Sequence, residues 1–157
     1  MTPEQLINQM KLKAKAAQAV VAETISLEDT FNYAIELTQQ RGGRNLAAAG
    51  FAPEQWDSLG SLCKDAGLIL LNSPLRDHAD DIHTAVTPVS WGLAETGTLV
   101  LQSADEDVRL ATMLANTHVA CLLASQIKPD TESIQTDLDH ILKTEPATYL
   151  AFITGPS

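Results

Sequence analysis

Positive charge is scarce in this 157-residue chain: ten Lys and Arg stand against twenty Asp and Glu, a net charge of −10. Such a field repels phosphate backbones and excludes nucleic acid as an expected partner. Cysteine is scarcer still. Cys63 and Cys121 lie far apart, each among apolar neighbours, with no Cys-x-x-Cys pair and no His cluster beside them. No protein-bound zinc or iron–sulfur centre is therefore expected, and both thiols read as small hydrophobic filler in a reducing compartment. No apolar run approaches the roughly 20 residues that span a membrane, and the polar start has no signal-peptide core, so a cytoplasmic protein is expected. Gly-x-Gly-x-x-Gly, a phosphate-loop lysine and Gly-x-Ser-x-Gly are all missing. Their absence removes the usual dinucleotide, nucleotide and serine-hydrolase signatures.

What the chain has is the alternation of an α/β domain. Hydrophobic residues at 45% and charged residues at 19% suit a globular core. A chain of this size buries roughly 70% of its unfolded surface. Thr2-Pro3 starts a helix predicted from Glu4 to about Ala22, with Leu6, Met10, Ala14, Ala17 and Val21 at helical spacing. Ser26 caps the next, with Phe31, Ala34, Ile35 and Thr38 on its inner face and Arg41-Gly42-Gly43 at its end. A strand at 46–49 follows, then a Pro53-led helix turning Trp56, Leu59, Leu62 and Cys63 inward. The run 68–71 is so short and apolar that it reads as a central strand.

Further on, Val89 to Ala94 reads as one or two helical turns and 98–101 as a strand. Asp105 begins a helix carrying Val108, Leu110, Ala111 and Leu114, and 119–123 is a buried strand. Pro129 begins the last helix, with Ile134, Leu138, Ile141 and Leu142 inward, and 149–153 is the final strand. This alternation predicts a mostly parallel sheet flanked by helices. With no repeat or linker, one domain over 1–157 is expected, opening with a helical segment over about 1–42.

Two places invite chemistry. Asp77-His78-Ala79-Asp80-Asp81-Ile82-His83 gathers two His and three Asp, but His78 and His83 are off the i, i+4 spacing that aims two ligands at one ion. A solvated loop or short helix with no metal is expected. The other place is Trp91-Gly92-Leu93-Ala94-Glu95-Thr96-Gly97-Thr98-Leu99-Val100-Leu101. Glu95, between apolar neighbours, would be desolvated if buried, and its pKa raised unless donors surround it. The Thr96 and Thr98 hydroxyls and the amides around Gly97 are the donors at hand. Gly97 supplies a positive φ or a close backbone approach to a ligand. The functional reading is a polar cradle at a strand end, where open α/β sheets place their sites. The structural reading is that Glu95 caps a short helix or pairs with a base. Arg109 either clamps a carboxylate or phosphate or pairs with Asp105 or Asp107. His118 is a candidate acid or base, although a lone His is more often structural.

Thr87, the block from Gly92 to Leu101, Arg109, His118-Val119 and the closing Ile153-Thr154-Gly155-Pro156-Ser157 together resemble the lactate-utilisation (LUD) domain family, of the lactate utilisation protein C type, over roughly residues 45–157. The resemblance implies a fold like that of glucosamine-phosphate deaminase, ribose-phosphate isomerase and CoA transferases. It implies a part in oxidising L-lactate to pyruvate beside iron–sulfur partner proteins, with no cofactor bound by this chain. A small anionic ligand fits that role. On the matched positions the ligand-binding candidates are Thr87, Glu95, Thr96, Gly97, Thr98, Arg109, Thr154, Gly155 and Ser157, and Glu95 is the first candidate for catalysis. Two features depart from the family. Ala115-Asn116-Thr117 stands where a proline usually precedes the His-hydrophobic pair. The family also continues past Gly-Pro-Ser into an Arg-Thr-Ala-Asp-Ile-like segment and a glycine-rich strand region, so the C-terminal end reads as incomplete. The alternative function is a stand-alone enzyme on a sugar-phosphate or acyl/CoA-type substrate, using Glu95 and Arg109.

Overall fold

A computed structural model describes residues 1–145 and 147–156. The chain divides into two compact units: one holds 1–22, 89–104 and 122–157, the other 23–88 and 105–121. Each contains its own sheet.

The second unit is the α/β layer. Helix α2 (Leu27–Gln40) starts at Ser26, whose hydroxyl accepts the Asp29 amide at 3.1 Å. Strand β1 (Asn45–Ala48) leads to α3 (Pro53–Asp65) and the two-residue strand β2 (Ile69–Leu70). Strand β3 (Thr84–Pro88), helix α4 (Glu106–Leu114) and strand β6 (Thr117–Cys121) complete it, with β4 (Trp91–Leu93) and β5 (Thr98–Ser103) lying between β3 and α4 in sequence. All its pairings are parallel, in the order β2-β1-β3-β6. Side chains alternate between faces along each strand. Leu46, Ala48, Val86 and Val119 therefore meet Phe31, Ala34 and Ile35 of α2 and Leu59 and Cys63 of α3 in one cluster. The ring of Phe31 packs edge-on to Phe51 at 5.3 Å. Helix α4 packs against β1 and β3. The mostly parallel α/β architecture read from the sequence is the one observed.

The first unit is built differently. Helix α1 (Pro3–Ala16) begins with a capping box between Thr2 and Gln5. Strand β4 (Trp91–Leu93) and strand β5 (Thr98–Ser103) form an antiparallel hairpin. Strand β7 (Ile127–Lys128) runs parallel to β4, and β8 (Tyr149–Ile153) antiparallel to β5. Helix α5 (Gln135–Thr144) contributes Leu138, which joins Ile134, Leu93 and Val100 in a small core.

Five expectations change, one of them the strand read at 119–123, which runs over Thr117–Cys121 and leaves Leu123 68% exposed. Val89 to Ala94 is not helical: Trp91–Leu93 is a strand, because Leu93 and Trp91 pair across the hairpin with Thr98 and Val100 and pack in the cluster of Ile134 and Leu138. The 68–71 run is an edge strand, not a central one, and Ile69 is 63% exposed. Helix α1 stops at Ala16, well before Ala22. The amides of Gln18 and Ala19 bond the carbonyls of Lys15 and Ala14, with Gln18 in a left-handed conformation (φ 73°), a Schellman stop in which glutamine stands where glycine usually does. The last helix starts at Gln135, after a 3-10 turn over Glu132–Ile134, and its Leu142 is exposed. Among the described residues no helix is long and apolar enough to cross a membrane.

Leu59 is fully buried at the centre of the α2–α3 cluster. Leu59→Ala is expected to cost about 2–5 kcal/mol, while Leu12→Ala on the exposed side of α1 changes stability by under about 0.5 kcal/mol. Urea unfolding followed by circular dichroism distinguishes the two.

Candidate functional site

The Glu95 stretch is the turn of the β4–β5 hairpin. Leu93 faces Thr98, and Ala94 to Gly97 form the loop between them. Gly97 takes φ 70°, and its amide closes the loop on the Leu93 carbonyl at 2.9 Å. The neighbouring chain after β7 clamps the same loop: Ala94 N–H donates to the Lys128 carbonyl at 2.8 Å and Glu95 N–H to the Pro129 carbonyl at 3.0 Å. Three of the loop's amides are thus committed to backbone acceptors. The donors that remain for a partner are chiefly side-chain hydroxyls.

Those hydroxyls form a chain. Thr98 Oγ1, buried, lies 2.6 Å from Thr96 Oγ1 and 2.7 Å from Thr154 Oγ1. Thr154 follows β8, whose Ile153 pairs with Leu99, so sheet pairing carries the end of the chain to the hairpin turn. Glu95, Thr96 and Thr154 are exposed, while Ala94 beneath them is fully buried. The desolvation that the apolar neighbours of Glu95 suggested is absent: the backbone turns its side chain outward to water.

The close approach anticipated at Gly97 is made by this chain's own helix. A Cβ on Gly97 would stand 2.6 Å from the Lys13 carbonyl carbon and 2.9 Å from Ala14 Cα. Gly155, also at φ 70°, meets Ala17 in the same way, 3.2 Å from its carbonyl carbon. The end of α1 rests directly on both loops of the motif.

The remaining candidates belong to the α/β unit. Thr87 is fully buried and lies 2.7 Å from His118 Nε2. Burial holds His118 down at about 4, so near pH 7 the ring is neutral and has no charge to give as an acid. Burial pushes Cys63 up to about 11 and Cys121 up to about 12, which keeps both thiols protonated and unreactive. Arg109 is exposed on α4. Asp107, offered as its partner, instead binds Ser73 Oγ and accepts the Leu75 amide at 2.9 Å. Ser157 lies outside the described residues. The structure therefore joins Thr96, Thr98 and Thr154 in one hydroxyl chain and Thr87 to His118 in a separate pair. Among the described residues no group of three or more His, Cys, Asp or Glu is arranged to hold a metal ion.

Sequence reading missed a polar network before β3. Asn45 and the Thr38–Thr84 pair bracket His83 beside a cavity of about 270 Å³. The available signal was Thr38, a hydroxyl on the apolar face of α2 that requires a buried partner.

A family model described as the LUD domain matches residues 7–157. Among solved structures, the crystal structure of a DUF162 family protein from Deinococcus radiodurans superposes with a TM-score of 0.67 at 14% identity, covering 99% of this chain and 90% of that one. Similarity at that identity establishes a shared fold. No curated protein matches the chain.

Gly97→Ala places a side chain in left-handed backbone and against α1. It is expected to cost at least about 1 kcal/mol and to raise hydrogen exchange across residues 3–16 first, whereas Gly67→Ala, also at positive φ but with open space around it, leaves α1 protected. For His118, the folded state binds fewer protons than the unfolded one between about pH 6.5 and 4. Its contribution is full above pH 6.5 and falls by about 3 kcal/mol as pH drops to 4. His118→Gln should flatten the stability–pH curve in that window relative to the parent chain.

Proposed function

Since the chain belongs to the LUD domain family, which is associated with lactate utilisation, we propose that it is a subunit of a system oxidising L-lactate to pyruvate. In this reading it works in the cytoplasm beside partner proteins that carry the iron–sulfur clusters, and holds no cofactor itself. The Ala94–Thr98 turn with Thr154 and Gly155 is its recognition surface.

The observation that carries the reading is the Thr96–Thr98–Thr154 chain, which ties the two motif segments together under an exposed carboxylate. Three hydroxyls supply three protons and make two mutual bonds. One proton is left to donate outward and one end is left to accept, and the direction of the chain can reverse. Such a surface matches a partner group that both donates and accepts, as a peptide backbone or a hydroxy acid does. Two features favour a partner segment over a free small anion. The loop amides that would cradle an anion are already committed. Glu95 and the net charge of −10 also repel one. A segment presenting a basic side chain to Glu95 fits both.

Deleting the gene should slow or abolish growth on L-lactate as sole carbon source, and normal growth would sink the assignment. In the complemented strain, Glu95→Lys and Thr98→Val should each reduce co-purification with the strain's own iron–sulfur lactate-utilisation proteins by about tenfold or more. Both variants should melt within a few degrees of the parent.

A further inference from the structure

At the N-terminal edge of the parallel sheet, the cavity of about 270 Å³ opens between the loop after α2 and the loop before β3. Its charged and polar rim is Arg44, Asp80, Asp81, His83 and Asn116. A depression of this volume suits a small metabolite.

The walls are fixed before any ligand arrives. Asn45 Nδ2 donates to the Asp81 carbonyl at 2.6 Å, and Asn45 Oδ1 accepts the His83 amide at 2.9 Å. On the other side, Asn116 N–H donates to the Ile82 carbonyl at 3.1 Å and Thr117 N–H to the His83 carbonyl at 2.9 Å. The 81–83 loop is thereby stapled to β1 and to the start of β6. The His83 ring packs on Gly43, where a Cβ would stand 2.6 Å from its Cδ2. Its Nδ1 shares a 2.8 Å hydrogen bond with Thr84 Oγ1, itself bonded to buried Thr38. One ring nitrogen is committed to the fold, and Nε2 has no partner among the described residues. A histidine oriented through Nδ1 leaves its other nitrogen available to bind.

Charge then selects the ligand. Arg44, Asp80 and Asp81 are among the residues that line the cavity. A simple anion meets Asp80, Asp81 and an acidic chain, and a simple cation meets Arg44. A molecule with both charges satisfies both sets. We propose that this cavity binds a small zwitterionic amino acid, with its ammonium between Asp80 and Asp81, its carboxylate on Arg44, and His83 Nε2 and Asn116 hydrogen-bonding to its polar atoms. This site is independent of the lactate-utilisation reading.

The test is a titration of the ¹⁵N-labelled full chain with L-alanine, using methylammonium and acetate as single-charge controls. L-Alanine should give saturable shifts at Gly42, Gly43, His83 and Asn116 with a dissociation constant in roughly the millimolar range. Methylammonium and acetate should bind about tenfold or more weakly. Arg44→Gln and Asp81→Asn, both at exposed side chains, should each weaken alanine by about tenfold while leaving the melting temperature unchanged. Shifts that do not saturate, equal binding of acetate or methylammonium, or unaltered affinity in both variants would overturn the proposal.

Discussion

Two glycines in left-handed backbone, Gly97 and Gly155, allow the last turn of α1 to lie on the hairpin loop and on the loop after β8 with no side chain between. That backbone contact seats α1 on the unit. It fits the burial of Ala14 against Gly97, while Met10 reaches Gly92 on β4 and Leu12 stays in water. It also accounts for the early stop of the helix. A non-glycine residue in left-handed backbone costs roughly 1 kcal/mol, and Gln18 accepts it because the chain must leave the helix where Ala17 meets Gly155.

The same contact changes what the motif means chemically. A Thr-Gly-Thr turn reads as a nest of free amides awaiting an anion. Here the amides of Ala94, Glu95 and Gly97 bond Lys128, Pro129 and Leu93, and α1 occupies the space beside Gly97. What reaches water is the Glu95 side chain together with Thr96 and Thr154. In the proposed reading that is a surface for recognition by contact.

The parallel unit was legible in the sequence because each of its elements carries its own local signal. Ser26 and Pro53 open helices, Gly67 ends one, and Phe31, Ala34, Ile35 and Thr38 fall on one face at helical spacing. The mixed sheet was less legible because its signals are not local. Trp91–Leu93 carries no alternation long enough to separate a strand from a helical turn, and its identity comes from pairing with β5 and β7. Ile69 and Leu70 look like core in isolation, but only pairing order makes β2 an edge. At the candidate site, residue identities pointed to Thr98 and Thr154, whereas the loss of the amides depended on where β7 would run. The network around His83 was hidden because Asn45, Thr38 and His83 come from three separate segments.

Assembly of the first unit follows from its chain order. Its segments, 1–22, 89–104 and 122–157, alternate with those of the parallel unit, so its contacts join distant parts of the sequence. Local pairing forms the β4–β5 hairpin at little entropic cost, and β8 adds to β5 across a long loop. Docking α1 closes the longest loop of all, from Ala17 to Gly155, while fully burying only two side chains of the helix. Docking of α1 needs both glycine loops in place, so it follows the pairing of β4, β5 and β8 that brings those loops together.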